Sequence, residues 1–224
     1  MIEHVYERAR LARAVDRVLV ATDDERILRA VRAFGGEAVM TRRDHATGTD
    51  RLAEVAAGLT CEIVVNVQGD EPLLDPEMIA QVVQPLAQDP AAVMSSLRTR
   101  LVSRDEYLDP NVVKVVVDSQ DTALYFSRAP IPHSRDTEEN APPVHAWRHI
   151  GLYAYRRTFL PVFQALPATP LEQLERLEQL RALEHGYRIS VAETPHRSVG
   201  VDSPADLAHV ERLLALRGQP APAG

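Results

Sequence analysis

The residue types best suited to chemistry are Asp70 and Glu71, which close the stretch Ile63-Val64-Val65-Asn66-Val67-Gln68-Gly69-Asp70-Glu71-Pro72. Carboxylate oxygens suit hard Mg²⁺, which commonly takes one or two carboxylates together with substrate phosphates. A solvated acidic turn would use the same two residues, and spacing alone does not choose between them. A second polar stretch is Arg42-Arg43-Asp44-His45-Ala46-Thr47-Gly48-Thr49-Asp50-Arg51. It offers guanidinium groups, small hydroxyls and backbone N–H groups, which suit the base, ribose or phosphates of a nucleotide. A capped, solvated loop with surface arginines has the same composition.

These residues need elements to position them. The apolar run before Asp70 is short and β-branched, so it predicts a buried parallel strand. Gly69 and Pro72 mark its end. Ligands in open α/β sheets sit outside the carboxyl ends of the strands, which places Asp70 and Glu71 at the ligand edge. Upstream, Ile2, Val5, Tyr6 and Ala9 recur at helical spacing and predict a helix over residues 2–14. Residues 15–22 read as a strand followed by Asp23-Asp24. Ile27, Leu28, Val31 and Phe34 give a helix ended by Gly35-Gly36, and residues 38–40 give a short strand. Alternating helices and strands predict an α/β fold with a parallel sheet. Asp23 could ligate metal or cap a helix, and Thr47 or Thr49 could cap a helix beginning near Asp50.

Farther along, Ile150, Leu152, Ala154 and Tyr155 predict a strand. Its alternation puts His149, Gly151 and Tyr153 on one face, where they would suit sugar hydroxyls or form a satisfied core. Leu171, Leu174, Leu177, Leu180 and Leu183 form a helical stripe for the core or a dimer surface, with Glu178 and Gln179 beside it. His145 and His149 lack a second ligand pair, so zinc is not expected.

The 224-residue chain is long enough for a sizeable core. Its net charge of -7 argues against non-specific binding to nucleic acid or an anionic membrane. The single cysteine, Cys61, permits no internal disulfide, is expected to be buried, and suggests a reducing compartment. No apolar run reaches membrane-spanning length. Glu3, His4 and Glu7 stand where a secretory leader would be basic and then apolar, so no signal peptide is expected. Residues 136–143 read as a polar loop that could act as a lid, and residues 218–224 as a disordered tail.

Several motifs in order carry a family resemblance. The Arg42-to-Arg51 loop and Asn66-Val67-Gln68-Gly69-Asp70-Glu71-Pro72 resemble the 3-deoxy-manno-octulosonate (Kdo) cytidylyltransferases, the CMP-Kdo synthetases. So do Pro110-Asn111-Val112-Val113-Lys114-Val115-Val116 and Ala123-Leu124-Tyr125-Phe126-Ser127-Arg128-Ala129-Pro130-Ile131-Pro132. Arg148-His149-Ile150-Gly151-Leu152-Tyr153-Ala154-Tyr155, Leu177-Glu178-Gln179-Leu180-Arg181 and Gly200-Val201-Asp202-Ser203-Pro204-Ala205-Asp206-Leu207 complete the set.

The resemblance implies a Rossmann-like nucleotidyltransferase fold with a mostly parallel central sheet. Residues 1–224 would form a single cytidylyltransferase domain, with an inserted substrate and dimerisation region at about 100–190. It implies that CTP and Kdo are joined to give CMP-Kdo and pyrophosphate for lipopolysaccharide synthesis, in a cytoplasmic homodimer. Asp70 and Asp202 would be catalytic and hold Mg²⁺. Arg42, Gly48, Thr49 and Gln68 would line the nucleotide. Arg128, His149, Tyr153, Glu178 and Gln179 would lie on the sugar-acid side, with the Arg128 guanidinium suited to clamp the carboxylate. Asp202 lies in a strand-to-helix turn, where capping a helix over 203–217 is its other possible role.

The nearest rival is a CMP-sialate-type enzyme, disfavoured by the tracts at 125–132 and 200–206. A non-catalytic binding or dimerising remnant is the alternative from another class. Family members carry a strand and an Arg/Ser/Pro-Gly-Lys loop ahead of the helix that begins here, and that loop binds the triphosphate. About 20–30 residues are therefore expected to be absent. Little turnover is expected from the chain as it stands.

Overall fold

The computed structural model describes residues 1–45, 47–135, 142–143, 145–197, 200–201 and 203–217, with no side-chain description for 215–217. Asp202, residues 136–141 of the polar loop and the 218–224 tail thus lie outside the described residues.

Helix α1 (Ile2–Arg10) buries Val5, Tyr6 and Ala9, the face its spacing predicts. Strands β1 (Val20–Thr22) and β2 (Ala38–Met40) pair in parallel, Val20 opposite Ala38. Helix α2 (Glu25–Ala33) connects them. Its N-cap is Asp24, whose carboxylate accepts from Arg26 N–H at 2.7 Å. Asp23 pairs with Arg51 at 3.2 Å instead. Gly35, at φ +80°, turns the chain out of α2 in a conformation a side chain would strain.

Helix α3 (Gly48–Ala56) follows, then strand β3 (Ile63–Asn66), helix α4 (Pro76–Gln88), strand β4 (Met94–Arg100) and helix α5 (Arg104–Leu108). Strands β5 (Lys114–Val117), β6 (Ala123–Ser127) and β7 (Trp147–Arg156) come next. A 3-10 turn (Arg157–Phe159), helices α6 (Leu160–Ala165), α7 (Pro170–Glu175) and α8 (Gln179–Glu184), strand β8 (Ile189–Glu193) and helix α9 (Pro204–Arg217) close the order.

The ten-residue β7 organises the main sheet, whose order is β6-β5-β7-β4-β8. On one side, the start of β7 pairs with β5 and its end pairs with β3. β4 runs along its other side, and all three pairings are antiparallel. β8 is parallel to β4. β3, β4 and β8 therefore share one direction, but among the described residues β4–β8 is the one parallel pair of this sheet, against the mostly parallel sheet expected from sequence. The ladder partner of β3 is nevertheless antiparallel, because β7 is wedged between β3 and β4. Among the described residues, β1 and β2 form a separate two-stranded sheet.

Two apolar clusters cover the main sheet. One joins Tyr155, Phe126, Phe163, Leu160 and Leu180. The other seats Leu74, Met78, Ile79, Val82 and Leu86 against Leu97, Ile150 and Leu152. Fully burying each such side chain is worth about 1.5–3 kcal/mol. Cys61 departs from expectation. It lies in the turn before β3, is exposed, and contributes its carbonyl to Arg157 Nε at 3.0 Å.

One irregularity bears on the site. Ser96 pairs with Tyr153, but the next residue, Leu97, pairs with Ile150. Gly151 and Leu152 are thus extra residues on β7, a bulge that re-aims neighbouring groups.

Candidate active site

Asp70 lies in the loop after β3, half-buried, with Gln68 exposed two residues earlier. Its backbone carbonyl accepts from Val201 N–H at 2.9 Å, which brings the segment after β8 to the acidic edge. Its described residues are anchored at several points. Thr194 N–H bonds the Arg98 carbonyl at 2.9 Å. His196 Nε2 lies 3.1 Å from Glu77 and Nδ1 3.5 Å from Asp75, at the start of α4. Arg197 grips both oxygens of Glu106, at 2.8 and 3.1 Å, and also bonds the Arg100 carbonyl. That grip is the main cause holding the Glu106 carboxyl below the usual range.

The 42–51 loop forms the second part. Thr47 caps α3, its hydroxyl accepting from Asp50 N–H at 3.2 Å, so Gly48 is the first helical residue. Arg42 is exposed, with Nε 3.7 Å from Asp44 and 3.6 Å from Glu54. Thr49 is buried and donates its hydroxyl to Glu178 Oε2 at 2.9 Å. One bond thus ties residues 129 positions apart and joins the polar loop to the start of α8.

The third part is a cavity of about 220 Å³ lined by Asn111, Arg148, His149, Tyr153, Leu177 and Gln179, with Val112, Val113 and Gly151 completing the wall. His149 and Tyr153 pack at 5.5 Å between ring centres, and Phe126 meets His149 edge-on at 4.8 Å. Burial, followed by the Arg148 charge, pushes His149 down to about 3. Burial also pushes the Tyr153 phenol well above its ordinary value. Glu178 is raised by burial, partly offset by the Thr47 and Thr49 hydroxyls. Its Oε1 and the Gln179 Nε2 are buried without a partner among the described residues. Gln179 lines the cavity and Glu178 is its neighbour in the chain, and an unmet polar group there is what a hydroxyl-bearing ligand would satisfy.

Arg128 is placed differently from its sequence expectation. It does not line this cavity; its Nε bonds the Glu175 carbonyl at 2.8 Å and Nη1 the Pro110 carbonyl at 3.0 Å. The fully buried Lys114 works alongside it. Its Nζ donates to the carbonyls of Asp109, Val112 and Arg128 at 2.8, 2.5 and 2.7 Å, which fixes the 109–113 wall. Desolvation pulls the lysine pKa down.

The structure therefore gathers Thr49, Glu178, Gln179, His149 and Tyr153. It sets Asp70 on the acidic edge with Val201, keeps Arg42 and Gln68 on exposed loops, and puts Arg128 behind the cavity wall. Asp70 is half-buried on that edge, and a carboxylate is the donor type a hard cation takes. Asn111, Arg148 and Ser96 were not singled out in the sequence. Asn111 and Arg148 stand inside quoted motifs. Ser96 has no local signal, because its place depends on the β7 bulge.

The family profile described as "Cytidylyltransferase" matches residues 1–189. The 3-deoxy-manno-octulosonate cytidylyltransferase of Syntrophotalea carbinolica is 58% identical over 219 residues, covering 96% of this chain and 88% of the relative. That of Geobacter sulfurreducens is 54% identical over 221 residues, with the same two coverages. The solved structure of a CMP:2-keto-3-deoxy-manno-octonic acid synthetase complexed with CTP superposes with a TM-score of 0.90 at 44% identity, covering 96% of this chain and 88% of that one. A 4-diphosphocytidyl-2C-methyl-D-erythritol synthase, 16% identical with a TM-score of 0.60, shares the fold.

Proposed function

This chain belongs to the cytidylyltransferase family and, within it, to the 3-deoxy-manno-octulosonate cytidylyltransferases, and on that premise we propose that it transfers CMP from CTP to 3-deoxy-manno-octulosonate, releasing pyrophosphate. The observation that carries this reading is the Thr49–Glu178 hydrogen bond. It makes the nucleotide-type loop and the polar cavity neighbours, so two substrates can meet at one seam. A CMP-sialate activity is not favoured, because relatives 51–58% identical over nearly the whole chain carry the octulosonate name.

The sugar's anomeric hydroxyl attacks the α-phosphorus of CTP in line with the departing pyrophosphate. Such transfer is mainly positioning and charge neutralisation. Thr49 and Gly48, at the N-terminus of α3, face the nucleotide with Arg42 and Gln68. Glu178, Gln179, His149 and Tyr153 hold sugar hydroxyls, and Arg128 serves the carboxylate side from the wall. Mg²⁺ held by Asp70 and Asp202 would neutralise phosphate charge and orient the triphosphate.

Among the described residues, no helix is long and apolar enough to cross a membrane. We place the enzyme in the cytoplasm, as a homodimer supplying activated sugar acid for lipopolysaccharide synthesis. Pyrophosphate release from CTP plus 3-deoxy-manno-octulosonate by the full-length protein tests the activity. Release with a sialic acid but not the octulosonate would overturn the substrate. Asp70→Asn should lower kcat by about 10²-fold or more, since a charge-stabilising contact of the transition state is lost. A loss of only a few-fold would remove Asp70 from the metal site.

A further inference from the structure

We propose that Ser96 fixes His149 as the tautomer protonated at Nε2, so that the ring offers Nδ1 as a hydrogen-bond acceptor to a hydroxyl of the sugar. The identity of that sugar rests on the octulosonate reading; the tautomer does not.

Ser96 Oγ lies 2.8 Å from His149 Nε2, 3.0 Å from the Ile150 carbonyl and 3.1 Å from the Leu152 carbonyl. The serine is fully buried, so no bulk water can mediate these contacts. Carbonyl oxygens only accept, and a hydroxyl has one proton. That proton therefore goes to the carbonyls, leaving an Oγ lone pair toward Nε2. The 2.8 Å contact is then a hydrogen bond only if Nε2 carries hydrogen. The reverse assignment would spend the serine proton on Nε2. It would also leave Oγ facing two carbonyl oxygens at close range with no proton between them.

The β7 bulge explains why both carbonyls are there. Gly151 and Leu152 have no opposite residue on β4, so this stretch of β7 turns carbonyls onto Ser96 instead of into a regular ladder. A doubly protonated ring is opposed by its burial, and Arg148 adds like charge beside it. The neutral ring thus keeps its lone pair on Nδ1, which has no protein partner among the described residues, in a side chain that lines the cavity. Gln179 lines the same cavity, and its Nε2 is a buried donor without a partner among the described residues. A polyhydroxylated ligand answers both, donating to Nδ1 and accepting from Gln179. Ser96 is on this account a positioning residue acting through His149.

The test is nitrogen-15 NMR of the full-length protein labelled at histidine, with the His149 signals assigned by their loss in His149→Gln. The unliganded wild type should show a protonated Nε2 and an unprotonated Nδ1. Adding 3-deoxy-manno-octulosonate should move the Nδ1 resonance toward its hydrogen-bonded position. Ser96→Ala should mix the tautomers and raise KM for the sugar acid about tenfold, with KM for CTP within about twofold. An Nδ1-protonated or doubly protonated ring in the wild type would overturn the proposal. Turnover of the sugar acid without movement of Nδ1 would overturn the acceptor role. If Ser96→Ala does not fold, the wild-type spectra still decide. If the wild type releases no pyrophosphate from this sugar acid, the substrate reading fails while the unliganded spectrum still judges the tautomer.

Discussion

Glu178 is a carboxylate held where burial disfavours its charge, with Oε2 on Thr49 and Oε1 unmet among the described residues. Its raised pKa means the folded state takes up the proton more readily than the unfolded chain does. The associated stability is therefore fully present below the ordinary glutamate value and is lost as pH rises through the raised value. At neutral pH the folded state carries this cost, which binding can recover when a sugar hydroxyl reaches Oε1. Glu178→Gln should accordingly raise Tm at pH 7 while lowering kcat/KM for the sugar acid by about tenfold or more. The Tm difference should shrink as pH falls toward the ordinary glutamate range, because the wild-type side chain is then neutral too. A lower Tm for the glutamine variant at pH 7 would refute this. Arg128 yields a different signature. Its guanidinium clasps two carbonyls from separate segments, which a lysine cannot reproduce. Arg128→Lys should raise KM for the sugar acid about tenfold, by loosening the 109–113 wall and the carboxylate side, with KM for CTP nearly unchanged. Equal effects on both substrates would count against this placement. These residues were legible in sequence only through the motifs that carry the family resemblance. Ser96 was not, since its partners are 53 to 56 positions away and meet it only through a bulge.

At the scale of elements, sequence periodicity located helices and strands better than their ends or their partners. The strand expected over 15–22 is realised only as Val20–Thr22, because its neighbour β2 offers just three residues to pair with. The helix expected over 2–14 stops at Arg10, where the Leu11 and Ala12 N–H groups close tight turns on Arg8 and Ala9. No period in the sequence announces that β7 inserts between β3 and β4. That arrangement depends on contacts between remote segments. The described residues between Thr194 and Val201, namely 194–197 and 200–201, form no helix or strand, so specific bonds must position them. Arg197 supplies the most directional of them, a two-pronged grip on Glu106. Arg197→Met should leave the fold intact, since the pair is partly exposed and worth little to stability. It should loosen the approach of Val201 to Asp70 and raise the Mg²⁺ concentration for half-maximal activity several-fold. KM for the sugar acid should change little, because Arg197 does not line the cavity. An unchanged Mg²⁺ requirement would show that the segment is held without this clamp.

At the scale of the molecule, the leucine stripe of residues 171–183 resolves into two roles that spacing alone left open. Leu177 and Leu180 enter the core, whereas Leu171 is at the surface and Leu174 is 80% exposed. Single exposed leucines are ordinary, but Leu174 does not stand alone. Glu175, the next residue, bonds Ser127 Oγ at 2.6 Å and Arg128 N–H at 2.9 Å, so α7 lies beside β6. β6 is the last strand in the sheet order, and its Leu124 is 63% exposed. An edge strand and an adjacent helix that both present leucine are what a second copy of the chain would cover. The surface belongs to the 100–190 region, and through Glu175 it also touches the Arg128 wall, so association would brace the cavity from outside. The protein should therefore run as a dimer by light scattering at micromolar concentration. Leu124→Glu combined with Leu174→Glu should convert it to monomer without loss of far-ultraviolet circular dichroism, since neither side chain is buried in the chain's own core. The monomer should show a higher KM for the sugar acid than for CTP relative to wild type, because the braced wall belongs to the sugar side. A wild-type monomer would remove this support from the cavity, and a dimer that survives both charges would place the interface elsewhere.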